Sequence, residues 1–345
     1  MPEMKAALQQ VDGTFRIRPL PVPQPGPDEV LIRVRAAGIC GSDLHEYGSK
    51  VVAETLPAGH ELAGEIVETG VGVEASRVGE RVAIDGVQAS ACGRCWFCVR
   101  GQTLHCQDKS ASGGGGFAEH VVRGARGCCP LPDTLSWEEG ALVEPTAVSV
   151  HGMRRGRLER GETVAVLGAG NIGLTAVAAA RAMGAGKVYV TARHAHQAEM
   201  ARRLGADEVV APDGDALREA LLEGTDGRGA DVTVETVGGE SEATITQAMA
   251  VTRSLGRVVV LGVFTRPLTL DWKQPLLHQQ EVLFAGGYDT AGGQSDYQRT
   301  IDFIASGRAP VRQMVTHRFP LAETGNAFET ASDKGTGSIK VQVIP

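Results

Sequence analysis

Thr163-Val-Ala-Val-Leu-Gly-Ala-Gly-Asn-Ile-Gly173 is the stretch on which the fold turns. Its first five residues form a continuous apolar run, the pattern of a parallel strand buried on both faces. Glycines 168, 170 and 173 follow with the spacing G-x-G-x-x-G. Residues 174–183 are then Ala-rich and free of Pro and Gly, which suits a helix. Alone the glycine motif is weak; between a buried strand and a helix it reads as a dinucleotide-binding turn. Gly168 permits the tight turn, Gly170 lets the backbone approach a pyrophosphate, and Gly173 allows helix and strand to pack closely. Asn171 and Ile172 open the helix, whose unpaired N–H groups face the phosphates, and they complete the expected loop contacts. A ligand-free glycine turn is a poor reading given both flanks.

Downstream the alternation continues. Lys187-Val-Tyr-Val-Thr191 is a second strand and residues 198–204 a second helix, ended by Gly205. Residues 231–235 and 256–262 add further apolar strands. This is a doubly wound Rossmann domain over about 151–286. The end of its second strand bears on the cofactor. An NAD enzyme places a carboxylate there for the ribose 2′-hydroxyl. This chain has Ala192 and then Arg193, with His194 and His196 close behind. Losing the acid removes repulsion against a 2′-phosphate, and a guanidinium can grip that phosphate bidentately. The expectation is NADP(H) in preference to NAD(H).

Upstream the period changes. Glu29-Val-Leu-Ile-Arg-Val-Arg35 alternates as a half-buried strand does. Residues 61–67 and 79–84 add short strands between glycine turns, so residues 1–150 read as mainly β, a small irregular barrel. Prolines 19, 21, 23, 25 and 27 read as an extended connector, and Arg154, Arg155, Arg157 and Arg160 as a solvated one. The tail, 287–345, lacks a complete βαβ repeat and is expected to pack back on the first domain. The fold class is therefore α/β, a doubly wound sheet with a mainly β partner domain.

Composition narrows the function. The 345 residues include 34 basic and 41 acidic side chains, a net charge of −7, which argues against a nucleic-acid surface. No apolar run approaches the ~20 residues needed to span a bilayer, and the first eleven residues carry no secretory pattern. Seven cysteines in such a chain point to reduced thiols and a cytoplasmic location.

Four of those cysteines, Cys92, Cys95, Cys98 and Cys106, follow C-x2-C-x2-C-x7-C in a lobe over about 90–108. Short spacers let the backbone wrap one tetrahedral zinc, and Gly93 and Gly101 supply turn freedom. Four thiolates leave no open position, so this site is expected to be structural. Disulfides conflict with the compartment, an iron–sulfur cluster has no support elsewhere in the chain, and His105 is surplus to the shell.

Gly38-Ile-Cys-Gly-Ser-Asp-Leu-His45 and Gly59-His-Glu61 bring a thiolate (Cys40), an imidazole (His60) and a carboxylate (Glu61) from neighbouring segments. That is the three-ligand set of a catalytic zinc with one position open. Glu144, in Val143-Glu-Pro145, is a second acid; on spacing alone it reads as a surface-turn residue.

Together with Gly116-Phe-Ala-Glu119 and the dinucleotide turn, these segments resemble the zinc-containing medium-chain dehydrogenase/reductase family, on its polyol, threonine and butanediol dehydrogenase side. The motifs occur in the family's order across nearly the whole chain. The resemblance implies a GroES-like catalytic domain (1–150 and 287–345), two zinc ions per chain, and a homodimer or homotetramer. It implies catalytic zinc on Cys40, His60 and a glutamate, with Glu61 and Glu144 both candidates. Zinc lowers the pKa of the alcohol, whose carbon gives a hydride to the nicotinamide. The resemblance assigns Ser42 the proton's first step and His45 its relay outward, a duty imidazole suits. The substrate class is a secondary alcohol, diol or polyol, or the matching ketone; Glu46 and Tyr47 are candidate pocket residues. A zinc-free quinone or enoyl reductase would lack both cysteine sets. A non-catalytic dinucleotide-binding protein would not require Cys40, His60, Ser42 and His45 together.

Overall fold

In the computed structural model, residues 2–10, 12–47, 57–110, 115–213 and 215–345 are described, without the side chains of Glu46 and Tyr47. Contacts divide the chain into two units. One is Met1–Glu144, Asp289–Ala305 and Arg312–Pro345; the other is Pro145–Tyr288 and Ser306–Val311. By contacts, the first division falls after Glu144. Residues 143–155 form one helix whose body packs in the second unit, where Ser149 Oγ meets Thr175 Oγ1 at 2.7 Å.

In the first unit, β1 (Glu3–Gln9) pairs antiparallel with β2 (Phe15–Pro21). Two of the five prolines expected in a connector, Pro19 and Pro21, therefore lie in a strand. β2 has a single partner, and an edge strand tolerates proline because the missing N–H need not serve the ladder. The larger sheet contains β3 (Glu29–Gly38), β4 (Glu61–Thr69), β5 (Arg81–Ile84), β6 (His120–Gly124) and β7 (Cys128–Pro130). Its order is Val315–Pro320, Lys340–Ile344, β3, β4, β5, β7, with β6 paired to residues 29–33 of β3. The alternation in β3 turns Val30, Ile32 and Val34 into a core shared with Phe117, Phe328 and Val343. Phe328 meets Phe15 and Phe117 at ring separations of 4.5 and 5.5 Å, so few aromatics suffice.

The second unit is a six-stranded parallel sheet of β8 (Thr163–Leu167), β9 (Lys187–Thr191), β10 (Glu208–Val210), β11 (Ala230–Glu235), β12 (Thr252–Val260) and β13 (Glu281–Phe284). Its order is β10-β9-β8-β11-β12-β13. Strand order reverses beside β8, and in such sheets ligands bind beyond the carboxyl ends at the reversal, where Gly168 sits. The basic run at 154–160 is only partly a connector. Arg154 and Arg155 end the helix Val143–Arg155, where cations complement the helix dipole. Among the described residues no helix is long and apolar enough to cross a membrane.

Candidate active site and metal centres

Strand register builds the first site. Gly38, the last residue of β3, pairs with Glu61, the first of β4. Cys40 and His60 therefore leave the sheet from the same end. A Cβ on Gly38 would fall 2.0 Å from Glu61 Oε2, so glycine makes room for that side chain. The next strand over supplies a cation: Gln342 pairs with Gly38, and Lys340 lies two residues before it. Lys340 Nζ donates to both Glu61 oxygens, at 2.8 and 2.6 Å, and to the Ile39 carbonyl at 3.0 Å. Both side chains are fully buried.

Cys40 starts a short helix, Gly41–Tyr47. Its N–H donates to Asp43 Oδ2 at 2.8 Å, and the other Asp43 oxygen faces His60 Nδ1 at 3.8 Å. Asp43 thus points at one imidazole nitrogen and leaves Nε2 for a ligand, the usual arrangement behind a metal-binding histidine. Ser42 hydrogen-bonds the Cys40 sulfur. Ser42 and His45 are both exposed, three residues apart on the same helix. The side chains of Glu46 and Tyr47 lie outside the described residues.

Glu144 is not the surface-turn acid its spacing suggested. It lies in the first turn of Val143–Arg155 and is 9% exposed. Among the described residues its carboxylate accepts no hydrogen bond. Burial pushes its pKa up to about 8, against the pull of His60, with Glu61 and Cys40 pushing it further. Burial likewise raises Cys40, helped by Glu61. For His60, burial works downward, but Glu144, Asp43 and Glu61 outweigh it and its pKa is raised. These donors electrostatically sense one another, and a divalent cation would stabilise the charged forms that burial disfavours. The donor set fits zinc, although Cys40, His60 and Glu144 do not gather mutually within 4.8 Å.

In the cysteine lobe the four sulfurs of Cys92, Cys95, Cys98 and Cys106 lie within 4.8 Å of one another, and all are free thiols. The positive φ values of Gly93 (73°) and Gly101 (77°) make the turns. Backbone N–H groups of Cys92 and Asp108 donate to Cys106 Sγ at 3.3 and 3.4 Å. Backbone donors from Gln107 and Cys98 lower Cys95 to about 6, while burial and neighbouring thiols push Cys98 up to about 12. Soft donors, thiolate-stabilising N–H groups and no fifth partner fit a closed zinc site. His105 packs against the Phe97 ring instead, 5.6 Å between centroids.

The dinucleotide turn has the local form its glycines require. Gly168 has φ 96°, and its N–H donates to Thr191 Oγ1 at 2.8 Å. A Cβ at Gly173 would lie 1.7 Å from the Gly168 carbonyl oxygen, whereas at Gly170 nothing stands within 4 Å. The helix Asn171–Met183 has no side-chain cap at Gly170, so its first N–H groups are free for an anion. Asn171 Oδ1 is a buried acceptor without a partner among the described residues. Open space at Gly170 and this orphaned oxygen fit a bound dinucleotide. Ile172 follows in the first turn. At the end of β9, Ala192 is half-buried, and Arg193 is exposed with no partner among the described residues.

Residues 26–133 match the alcohol dehydrogenase GroES-like domain and residues 171–306 the zinc-binding dehydrogenase domain. A sorbitol dehydrogenase of Bacillus subtilis (strain 168) is 37% identical, with 99% of this chain and 97% of the relative covered. An L-idonate 5-dehydrogenase of Vitis vinifera is 32% identical, covering 95% and 91%. Among solved structures, a zinc-binding dehydrogenase from Sinorhizobium meliloti 1021 bound to NADP superposes with a TM-score of 0.87 at 31% identity, over 100% of both chains. The chain belongs to the zinc-containing medium-chain dehydrogenase family, in its polyol dehydrogenase branch. It is accordingly an oxidoreductase acting on CH–OH groups with zinc and a nicotinamide cofactor.

Lys340 and Asp43 were not singled out by sequence. Asp43 was visible inside the Cys40 segment. Lys340, 300 residues away, carried no local signal.

Proposed function

We propose that this enzyme interconverts a polyol or other secondary alcohol and its ketone with NADP(H), using one catalytic and one structural zinc. Cys40, His60 and Glu144 are the catalytic ligands; Cys92, Cys95, Cys98 and Cys106 hold the structural ion. One observation carries the choice of carboxylate. Both oxygens of Glu61 are engaged by Lys340, while Glu144 is buried, is coupled electrostatically to His60 and accepts no hydrogen bond among the described residues.

Zinc held by Cys40, His60 and Glu144 would supply the Lewis acidity that lowers the alcohol pKa, and a nicotinamide cofactor would supply the hydride acceptor. Asp43 orients the His60 ring, and Lys340 engages both Glu61 oxygens and so holds them out of the ligand set. Ser42 Oγ would accept the alcohol proton as its own hydroxyl proton passes on, through the cofactor ribose, to the exposed His45 imidazole and solvent. The dinucleotide is held by Gly168, Gly170, Asn171, Ile172 and Gly173. Ala192 and Arg193 favour the 2′-phosphate, in keeping with a free guanidinium and no acid at the end of β9. The polyol preference is supported by the sorbitol and idonate dehydrogenase relatives. Steady-state kcat/KM with NADPH and NADH across ketones and hydroxyketones, and with NADP+ and NAD+ across polyols, tests both choices. A clear NADH preference overturns the cofactor assignment.

A homo-oligomer is also proposed. β13 is an edge strand whose Phe284 is 70% exposed, and Leu276 and Leu277 in the preceding helix are exposed too. A second copy pairing there would cover an edge that otherwise invites aggregation. The seven free thiols suit the cytoplasm.

A further inference from the structure

We infer that the dinucleotide-binding unit carries a second, separate anion site that takes a phosphorylated small molecule. A cavity of about 240 Å3 lies where β11 and β12 begin. Ala230 and Thr252, the first residues of those strands, pair in register there.

Four residues with nitrogen-bearing side chains line it: Arg218 from the helix Ala216–Gly224, Arg228 from the turn before β11, Arg253 from β12, and His278. Leu222 and Val251 add an apolar wall, and no carboxylate lines the cavity. Most of the donors are unused. Arg218 and His278 have no side-chain partner among the described residues. Arg228 spends only Nε, on the Thr225 carbonyl at 2.9 Å. Arg253 is tied to Asp231 through Nε at 2.6 Å and to the Ser254 carbonyl through Nη1 at 2.8 Å, leaving Nη2.

In a chain of net charge −7, three arginines line one cavity, and among the described residues only one of them is paired with a carboxylate. A phosphate dianion answers that arrangement, because its oxygens match the planar fork of arginine. The apolar wall suits the organic part of a phosphate ester. The cavity is not the pyrophosphate site under another description. β8, β11 and β12 are parallel, so Gly168 to Gly173 stand at the carboxyl ends of the strands and the cavity at the opposite ends.

Isothermal titration tests this, with inorganic phosphate and with phenyl phosphate at fixed ionic strength. The dinucleotide site is first saturated with whichever nicotinamide cofactor binds more tightly. One further binding event per chain is expected. Arg218→Ala should weaken it about tenfold, the worth of a charge-assisted hydrogen-bonded contact, and Arg218→Ala/His278→Ala further. Neither side chain has a partner among the described residues, so cofactor affinity and melting temperature without phosphate should not change. Tighter binding of phenyl phosphate identifies an ester as the ligand; equal affinities identify free phosphate. Three results overturn the proposal: no event beyond the cofactor site, an event that chloride alone reproduces, or an affinity unchanged in Arg218→Ala.

Discussion

Lys340 and Glu61 form an ion pair with no access to water, a geometry in which breaking the pair costs far more than never having made it. Lys340→Met should leave Glu61 buried and unpaired, lowering stability by about 3–5 kcal/mol. Lys340→Met/Glu61→Leu should recover much of that loss. Urea unfolding of both variants checks this, and equal losses would mean that the pair is not where the stability lies. Asp85 offers a pH-dependent case. It caps the helix Gly86–Ser90 by accepting from the Gln88 N–H at 2.7 Å, and burial raises its pKa from 3.8 to about 7. The folded state therefore holds this proton more tightly than the unfolded chain. Stability should fall as pH rises from about 4 to about 7, by at most roughly 4 kcal/mol. Asp85→Asn, which keeps the cap, should flatten the pH dependence of thermal unfolding in that window; an unchanged slope would assign it to other groups.

At the scale of the element, the dinucleotide turn separates two kinds of glycine. Gly170→Ala meets open space within the protein, so the fold should survive while dinucleotide affinity falls by roughly 1–3 kcal/mol through the methyl's clash with the ligand. Gly173→Ala instead collides with the Gly168 carbonyl and should lower the melting temperature even without cofactor. Fluorescence titration and thermal melts of the pair check the division; matching behaviour would contradict it. This turn was legible in the sequence because strand, glycines and helix are contiguous. The cysteine lobe was legible for the same reason: its spacing is local. Glu144 was misread because its burial depends on a helix packed against segments far away in sequence. The prolines of β2 were misread because a connector and an edge strand share one extended backbone. Lys340 was invisible, since only the pairing of the C-terminal strand with β3 brings it to Glu61.

For the whole molecule, the two proposed metal centres should fail differently. Cys92→Ala opens a closed site inside a lobe that packs few apolar side chains, so it should reduce stability and assembly first. Cys40→Ala removes a proposed ligand from a half-buried position and should spare the fold. The oligomer proposed through β13 should dissociate on Phe284→Lys, which light scattering would detect as a fall in mass; an unchanged mass would place the interface elsewhere. The most direct measurement is zinc per chain, by elemental analysis, together with turnover and cofactor binding in the wild type and in Cys40→Ala. Two zinc ions per wild-type chain are expected, and one in Cys40→Ala, which should lose turnover yet still bind the dinucleotide. A wild-type chain with a single zinc, or a Cys40→Ala variant that keeps both its metal and its activity, would contradict the catalytic site described above.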